Sequence, residues 1–319
     1  MKKALLPLAA AVTMALSAHA EKLVVRVGHF PNITHVQALV ANALSREGKG
    51  WFEQRLGPDV TIEWYSYNAG PSAIEGILAG TIDMTYVGPS PAINAYARSR
   101  GREIRIVAGA ANGGAALVAQ PDEALTVPAD FRGRKIATPQ LGNTQDIACR
   151  AWLSAGGLRI TQLGGDAEVL PTENPDQLAL FKLKKIDAAW TVEPWVSRLE
   201  MEAGAKPVVE DRESPVTVLV TGVKFLASHP DIVAKFVAAN RDLTAWIQQN
   251  PAEAQNLVAS ELEAETRGKI SPALIAHAWD SIVLTNDISR ESLDKFVANA
   301  QAAGFLRQAP DLSQLLVQP

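Results

Sequence analysis

Residues 80–91 read Gly80-Thr81-Ile82-Asp83-Met84-Thr85-Tyr86-Val87-Gly88-Pro89-Ser90-Pro91. A short β-favouring run, 84–87, sits between a glycine-bounded turn and a Gly-Pro-Ser-Pro loop whose residues suit the first turn of a helix. Strand, loop and helix N-terminus form the unit of an open α/β sheet, and ligands of such sheets bind where the strands end and the helices begin. The stretch recurs. At one constant spacing Pro71, Ile82, Asp83 and Tyr86 are matched by Pro175, Ile186, Asp187 and Trp190, and one inserted residue later Pro89 is matched by Pro194. Two halves built to one plan are therefore expected. The other reading is chance likeness between two strand-helix units, which share hydrophobic patterning anyway.

Outward from this stretch, apolar runs bounded by Gly, Pro and Asn alternate with helix-period segments. Strands are expected at 23–28, 60–65, 84–87 and 104–107, with helices over 34–46, from 72 and from 91, making one half. An extended run at 115–119 precedes the restart, with strands at 135–138, 168–170 and 188–191 and helices over 144–155 and from 176. Past the run 216–221 the chain turns helical. Ile232, Val233, Phe236, Val237, Leu243, Trp246 and Ile247 mark one face of a long amphipathic helix. Asn250-Pro251 ends it and starts the next, Ser271-Pro272 starts another, and 290–303 is the last. Two lobes need two crossings of the chain, and 115–120 and 216–221 are the expected hinges. The expected division is residues 21–112 with 217–319 in lobe I and 113–216 in lobe II.

The chain has 319 residues, 47% hydrophobic and 20% charged, a globular balance that argues against long disordered tracts and suits roughly two domains. Its formal charge of −4 becomes more acidic once Lys2 and Lys3 are removed, and gives no reason to seek a nucleic-acid backbone. Cys149 is the single cysteine, which excludes an internal disulfide and the paired-cysteine metal patterns. Met1-Lys2-Lys3, the apolar run 4–16 and the small-residue pattern Ala18-His19-Ala20 predict a signal peptide cleaved after Ala20, hence export to the periplasm. That run is shorter than the about 20 residues needed to span a bilayer.

Four loops end strands and open helices with the same small, amide-presenting residues: Pro31-Asn32-Ile33-Thr34, Ala69-Gly70-Pro71-Ser72, Gly88-Pro89-Ser90-Pro91 and Leu141-Gly142-Asn143-Thr144. Glycine admits a ligand to the backbone, Ser, Thr and Asn add donors, and the unpaired N–H groups of a first helical turn carry partial positive charge. Any one loop taken alone reads better as an ordinary N-cap. Four of them in matched halves favour one shared anion site. No lysine or arginine lies within them, which favours an oxyanion held by neutral donors, such as sulfonate, sulfate or nitrate. His35, near a helix start, is a further donor to that anion. Trp190 ends a strand just before Glu193-Pro194-Trp195, so an aromatic wall for an alkyl or aryl tail and a carboxylate for an amine or hydroxyl are expected beside it, with core packing as the alternative. Asp83 and Asp187 read as structural caps or turn formers.

Catalytic and metal motifs are missing. There is no G-x-S-x-G elbow, phosphate-binding G-x-x-x-x-G-K-[ST] loop or H-E-x-x-H run, His29 and His35 lack the i, i+4 spacing of a helical metal pair, and Cys149 has no nearby histidine. The expectation is a binding protein, with no catalytic residue, no metal and no cofactor.

At these loops the chain resembles the substrate-binding proteins of ABC importers in the aliphatic sulfonate, taurine and nitrate group, the NMT1-like proteins, which also include receptors for a thiamine precursor. The carriers are Val25-Arg26-Val27-Gly28-His29-Phe30, Ala69-Gly70-Pro71-Ser72, Gly80-Thr81-Ile82-Asp83 with Gly88-Pro89-Ser90-Pro91, Leu141-Gly142-Asn143-Thr144-Gln145 and Glu193-Pro194-Trp195. The resemblance implies an α/β, two-lobed type II periplasmic-binding fold, each lobe a mostly parallel sheet flanked by helices, closing on its ligand and presenting it to an inner-membrane ABC permease. Carried over by position, Gly70 and Ser72, Gly88 and Ser90, and Asn143 and Thr144 hold the oxyanion, with Gln145 adjoining. Glu193 takes the acidic place that meets the ligand amine in taurine-type receptors. Asn143-Thr144-Gln145 departs from the serine-rich run often found there. The expected function is capture of a small organic anion, foremost an alkanesulfonate, by a monomer that needs no nucleic acid. Taurine, nitrate and a thiamine pyrimidine precursor are the alternative ligands, and a sensor subunit or a pyrimidine-precursor synthase the alternative roles.

Overall fold

The computed structural model describes residues 22–162 and 164–319; the signal peptide expected at 1–20 lies outside the described residues. The chain begins with β1 (Leu23–His29), a 3-10 turn at Ile33–His35, α1 (Val36–Arg46), α2 (Trp51–Leu56), β2 (Val60–Ser66), α3 (Gly70–Leu78), β3 (Met84–Val87), α4 (Pro89–Arg98) and β4 (Ile104–Gly113). It continues through β5 (Ala115–Ala119), β6 (Lys135–Thr138), α5 (Thr144–Ala155), the short β7 (Ile160–Thr161) and β8 (Gly164–Gly165), β9 (Glu168–Pro171), α6 (Asn174–Lys182), β10 (Ala188–Val192), α7 (Trp195–Ala203) and β11 (Lys206–Asp211). The last stretch holds β12 (Pro215–Gly222), α8 (Val223–Ser228), α9 (Pro230–Gln249), α10 (Pro251–Thr266), α11 (Pro272–Trp279), β13 (Ile282–Leu284) and α12 (Arg290–Ala302).

Helices α3, α4 and α6 each start two residues before the expected position, at Gly70, Pro89 and Asn174. All three carry proline in the first two positions, where its missing N–H is no loss and its fixed φ is already helical. β4 runs six residues past its expected end at 107, because Gly109 and Gly113 are accommodated as strand residues against β12 and β13.

Two main sheets result, with strand orders β13-β4-β12-β3-β1-β2 and β11-β5-β10-β6-β9. β1 pairs in parallel with β2 and β3, and β6 in parallel with β9 and β10. The expectation of mostly parallel sheets is corrected at the remaining pairs: β12 runs antiparallel to β3 and β4, β13 to β4, and β5 to β10 and β11. The cause is the route of the chain. β4 ends at the cleft edge of the first sheet, Gly114 carries the chain across, and β5 starts at the cleft edge of the second, so it must run away from the cleft, against β10. β12 returns the same way after β11. Parallel neighbours need a long crossover, usually a helix, and these direct crossings have none.

In place, β12-β3-β1-β2 matches β5-β10-β6-β9, so the halves share one plan and each contributes a strand inserted beside β3 or β10 by the crossing chain. Both sheets are covered on two faces. On the first, α1, α2, α9 and α10 pack with Phe52 and Phe236 stacked 3.9 Å apart, and α3, α4 and α12 cover the other face around Ile74, Ile93 and Phe296. The second sheet lies between a cluster around Phe131, Leu153 and Trp190 and one around Phe181, Trp195 and Leu199. No helix among the described residues is long and apolar enough to cross a membrane.

The matched aspartates do matched work. Asp83 accepts from the Arg26 backbone N–H at 2.9 Å and from its guanidinium at 2.7 and 3.0 Å, while its own N–H donates to Arg26 O at 2.8 Å. Asp187 accepts from the Lys135 N–H at 2.7 Å and from Arg134 at 3.1 Å, and its N–H donates to Lys135 O at 2.9 Å. Each clamps the central parallel strand one step before its pairing with β3 or β10 begins. Asp83→Ala and Asp187→Ala should therefore each lower unfolding stability in urea by about 1–3 kcal/mol, since each leaves a strand N–H without its acceptor. The larger loss is expected at Asp83, whose side chain is 11% exposed against 25% for Asp187.

Candidate functional site

The carboxyl ends of the parallel strands of both halves face each other, and the loops that follow them enclose one small cavity. The first half lines it with Phe30, Asn32, Thr34 and His35 after β1, Asn68, Ala69 and Gly70 after β2, and Gly88 and Pro91 after β3. From the second half come Pro139, Asn143, Thr144 and Gln145 after β6, Asn174 after β9 and Val192 at the end of β10, with Val216 of β12. Ala69, Gly88 and Asn143 are the N-caps of α3, α4 and α5, Asn174 opens α6, and Asn32 precedes the 3-10 turn leading to α1. Helix starts from both halves thus point their unpaired N–H groups at one place, where their partial positive charges add. The lining holds no Asp, Glu, Lys or Arg.

His35 is fully buried, and burial, helped by nearby His29, drives its pKa well down, so the ring is neutral. The Phe30 N–H donates to His35 Nδ1 at 3.4 Å, which places the proton on Nε2 and makes that atom a donor. Among the described residues no group of three or more His, Cys, Asp or Glu side chains is placed to hold a metal ion.

The two halves touch across the cleft. The Ile33 N–H donates to Glu193 O at 3.0 Å, Trp195 Nε1 to Asn32 Oδ1 at 3.1 Å, Gln140 Nε2 to Ser72 Oγ at 2.8 Å, Asn68 Nδ2 to Pro139 O at 3.3 Å, and the Ser90 N–H to Thr144 Oγ1 at 3.4 Å. A Cβ on Gly88 would lie 2.3 Å from Thr144 Oγ1, so only glycine lets the halves come this close without displacing that side chain. The cavity left between them is about 20 Å³, room for about one water. This is a closed arrangement, with less room than an organic anion needs.

Of the residues read from the sequence, Asn32, Thr34, His35, Gly70, Gly88, Asn143, Thr144 and Gln145 come together in the lining. Four others do not. Ser72 spends its hydroxyl on Gln140 of the opposite half, so it serves closure. Ser90 lies just behind Gly88 with its Oγ buried and without a hydrogen-bond partner. Trp190 sits behind α5, edge-on to Trp152 at 6.2 Å. Glu193 turns its carboxylate away from the cavity, accepting from the Ser197 N–H at 3.1 Å and from Ser281 Oγ at 3.3 Å, and burial raises its pKa. It lines a separate 350 Å³ pocket with Glu200 and His277. Asn174 and Asn68 were missed. The spacing that matches Pro71 with Pro175 also sets Asn174 opposite Gly70, so the repeat carried the signal for Asn174.

Two buried ion pairs hold the loops. Asp146 accepts from the Gly142 N–H at 2.9 Å, Thr138 Oγ1 at 3.1 Å and Arg150 Nε at 3.0 Å, fixing the turn that presents Asn143 and Thr144; both charged side chains are almost wholly buried. Behind Phe30, His29 Nε2 lies 2.5 Å from Glu265 of α10, whose other oxygen accepts from Ser66 Oγ at 2.8 Å. Asn42 bridges Glu265 and Glu261, and Arg46 pairs with Glu261. Burial pushes the Glu265 carboxyl up, but the hydrogen bond and charge of His29, with Ser66, outweigh it and hold the group below its ordinary value.

Arg150→Met should lower stability by about 3–5 kcal/mol in urea unfolding, because it strands the buried Asp146 carboxylate. Since the Glu265 pKa is depressed from 4.5 to about 2, the stability it supplies is full above pH 4.5 and lost as the pH falls toward 2. The stability gap between the chain and Glu265→Gln, followed by thermal unfolding against pH, should shrink over that window.

A family model described as the NMT1-like family matches residues 18–262. A putative aliphatic sulfonates-binding protein of Bacillus subtilis (strain 168) is 28% identical over 272 residues, covering 81% of this chain and 77% of that protein. The taurine-binding periplasmic protein of Escherichia coli (strain K12) is 24% identical over 198 residues, covering 60% of this chain and 59% of that protein. Among solved structures, the alkanesulfonate-binding protein SsuA from Xanthomonas axonopodis pv. citri, bound to MOPS, superposes with a TM-score of 0.73 at 18% identity, covering 94% of this chain and all of that one. The fold is thus the two-lobed mixed α/β fold of periplasmic binding proteins, and with most of its length matched the chain belongs to the NMT1-like family.

Proposed function

We propose that this chain is an exported, monomeric receptor that captures a small organic anion, foremost an alkanesulfonate, and hands it to an ABC permease. Its lobes are those expected, residues 21–112 with 217–319 and residues 113–216, except that the second boundary moves back to 214 because β12 enters the first sheet at Pro215; the hinges are the crossings at Gly114 and at 212–214, since the expected hinges 115–120 and 216–221 are taken up by β5 and β12 within the sheets, and export follows cleavage after Ala20. The observation that carries the reading is the convergence of helix N-termini from both lobes on a lining without a charged side chain. Such a site favours an anion whose charge is spread over several oxygens, because many weak donors then share it and no buried counter-charge is needed. Each lobe alone satisfies part of the ligand, so binding is stronger in the closed state and draws the population toward it.

Glu193 bears on the choice among ligands. Its carboxylate is engaged by Ser197 and Ser281, outside the cavity lining, so an ammonium group at the far end of the ligand finds no partner there. That favours a plain sulfonate over taurine. No nucleophile with a base beside it lines the cavity, and Cys149 is buried within α5, where burial drives its thiol pKa far up. Binding without chemistry is the role that fits.

Titration calorimetry with ethanesulfonate, taurine, nitrate and a pyrimidine should give the tightest binding with ethanesulfonate and at least about tenfold weaker binding with taurine, the loss of one uncompensated charge contact. Thr144→Val should weaken ethanesulfonate by about 1.5–3 kcal/mol if the hydroxyl donates to the anion. No heat with any sulfonate would remove the ligand assignment, and unchanged affinity in Thr144→Val would leave that residue a closure contact only.

A further inference from the structure

Four side chains of the cavity lining, Asn32, His35, Gln145 and Asn174, carry both a hydrogen-bond donor and an acceptor, and all four are more than nine-tenths buried. In each the acceptor end is already taken. Trp195 Nε1 donates to Asn32 Oδ1 at 3.1 Å, and the Phe30 N–H to His35 Nδ1 at 3.4 Å. Asn143 Nδ2 donates to Gln145 Oε1 at 3.2 Å, and Thr191 Oγ1 and Gln177 Nε2 donate to Asn174 Oδ1 at 3.0 and 3.3 Å. The groups behind these bonds leave no choice of orientation. An indole or backbone N–H can only donate, which fixes Asn32 and His35. Asn143 is fixed because its own oxygen takes the Asp146 N–H at 2.8 Å, and Gln177 because its amide donates to Thr172 O at 2.8 Å. What is left free is Nδ2 of Asn32 and Asn174 and Nε2 of His35 and Gln145, none with a partner among the described residues. These donors have the same polarity as the helix-start N–H groups beside them. Thr144 joins them, since its oxygen takes the Ser90 N–H at 3.4 Å and its hydrogen is left to give. Two side-chain oxygens of the lining stay uncommitted: the Thr34 hydroxyl, which donates as readily as it accepts, and Oδ1 of Asn68, a half-buried residue whose Nδ2 crosses to Pro139 O at 3.3 Å.

We infer that the site reads the protonation state of its guest as well as its charge: it takes an oxyanion with no hydrogen left on its oxygens and rejects one that keeps an O–H, such as an alkylphosphonate monoanion, because a buried O–H meets donors there and not acceptors. The inference rests on reading the cavity as an anion site. A sulfonate and a phosphonate monoanion with the same alkyl group carry the same charge and the same tetrahedral head, so neither charge nor shape separates them. The P–OH hydrogen does. Set against Nδ2 of Asn174 or Nε2 of Gln145 it faces another hydrogen, and it loses the bond it made to water. Thr191, Gln177 and Trp195 are positioning residues in this scheme: they stand outside the lining, and each holds a lining amide by its oxygen. The lock on Asn32 crosses the cleft, whereas those on His35, Gln145 and Asn174 each lie within one half of the chain, so they are in place before the halves meet.

Calorimetry with ethanesulfonate and ethylphosphonate at about pH 5.5, where the phosphonate keeps one P–OH, should show the phosphonate bound about tenfold to a hundredfold more weakly. Asn174→Asp keeps one oxygen on Thr191 and Gln177 and offers a second to the guest, so it should cut the ratio of ethanesulfonate to ethylphosphonate affinity by about tenfold or more. Gln145→Glu makes the same change from α5 and carries the test if Asn174→Asp loses the native unfolding temperature. Asn174→Ala removes a donor without adding an acceptor; it should weaken both ligands and leave their ratio within about threefold. Equal affinity for the two ligands in the unchanged chain, an unchanged ratio in a natively folded acceptor variant, or the same fall in Asn174→Ala overturns the inference and leaves the anion site standing. Failure of both anions to bind overturns the reading of the cavity and the inference with it.

Discussion

The fold is organised around a shortage: backbone N–H groups at helix starts that have no partner within their own helices. α3, α4, α5 and α6 all begin at the carboxyl edge of a sheet, and the two edges face each other, so these donors collect in one cavity lined without formal charge. Side-chain capping answers the shortage only in part. Asn143 caps α5 through Asp146 N, whereas α3, α4 and α6 begin with proline in the first turn and make no side-chain cap. What remains is a directional positive field that an oxyanion can satisfy from several sides at once, and in the proposed function ligand capture and lobe closure are then one event.

The route of the chain makes that field a shared property of two lobes. β5 and β12 are exchanged between the halves, each entering at the cleft edge and running away from it, so both crossings lie beside the cavity. Under the proposed hinge at these crossings, the helix starts of one lobe move toward those of the other with little change inside either sheet. The aspartate clamps on Arg26 and Lys135 tie the central strand of each sheet to its neighbour. The buried pairs Asp146–Arg150 and His29–Glu265 do the same for the loops. Charge is thus present close behind the site on both sides, neutralised within each lobe, and absent from the lining itself.

Much of this was legible in sequence because it is local. Strand runs such as 84–87, 115–119 and 135–138 and the helix 144–155 follow from apolar period and from Gly, Pro and Asn punctuation, and they stand where expected. The repeat around Asp83 and Asp187 was visible as spacing, and it carried the loops of the cavity with it. Less visible were elements whose existence depends on partners far away: β11 and β13 are edge strands, half exposed, with no pattern of their own until β5 and β4 lie beside them.

The sequence by itself determined the two-part plan, the helix starts that face the cleft and the absence of charged residues from those loops, since each depends on residues a few positions apart. Tertiary structure alone decided where side chains point. Glu193 follows a strand end in sequence and yet bonds to Ser197 and Ser281, Ser72 reaches across to Gln140, and Trp190 joins Trp152 behind α5. Sheet direction was likewise decided by the crossings. The physical reason is the same in each case: a side chain near a site takes whichever hydrogen-bond or packing partner the folded chain brings closest, and that partner lies outside the reach of any local pattern.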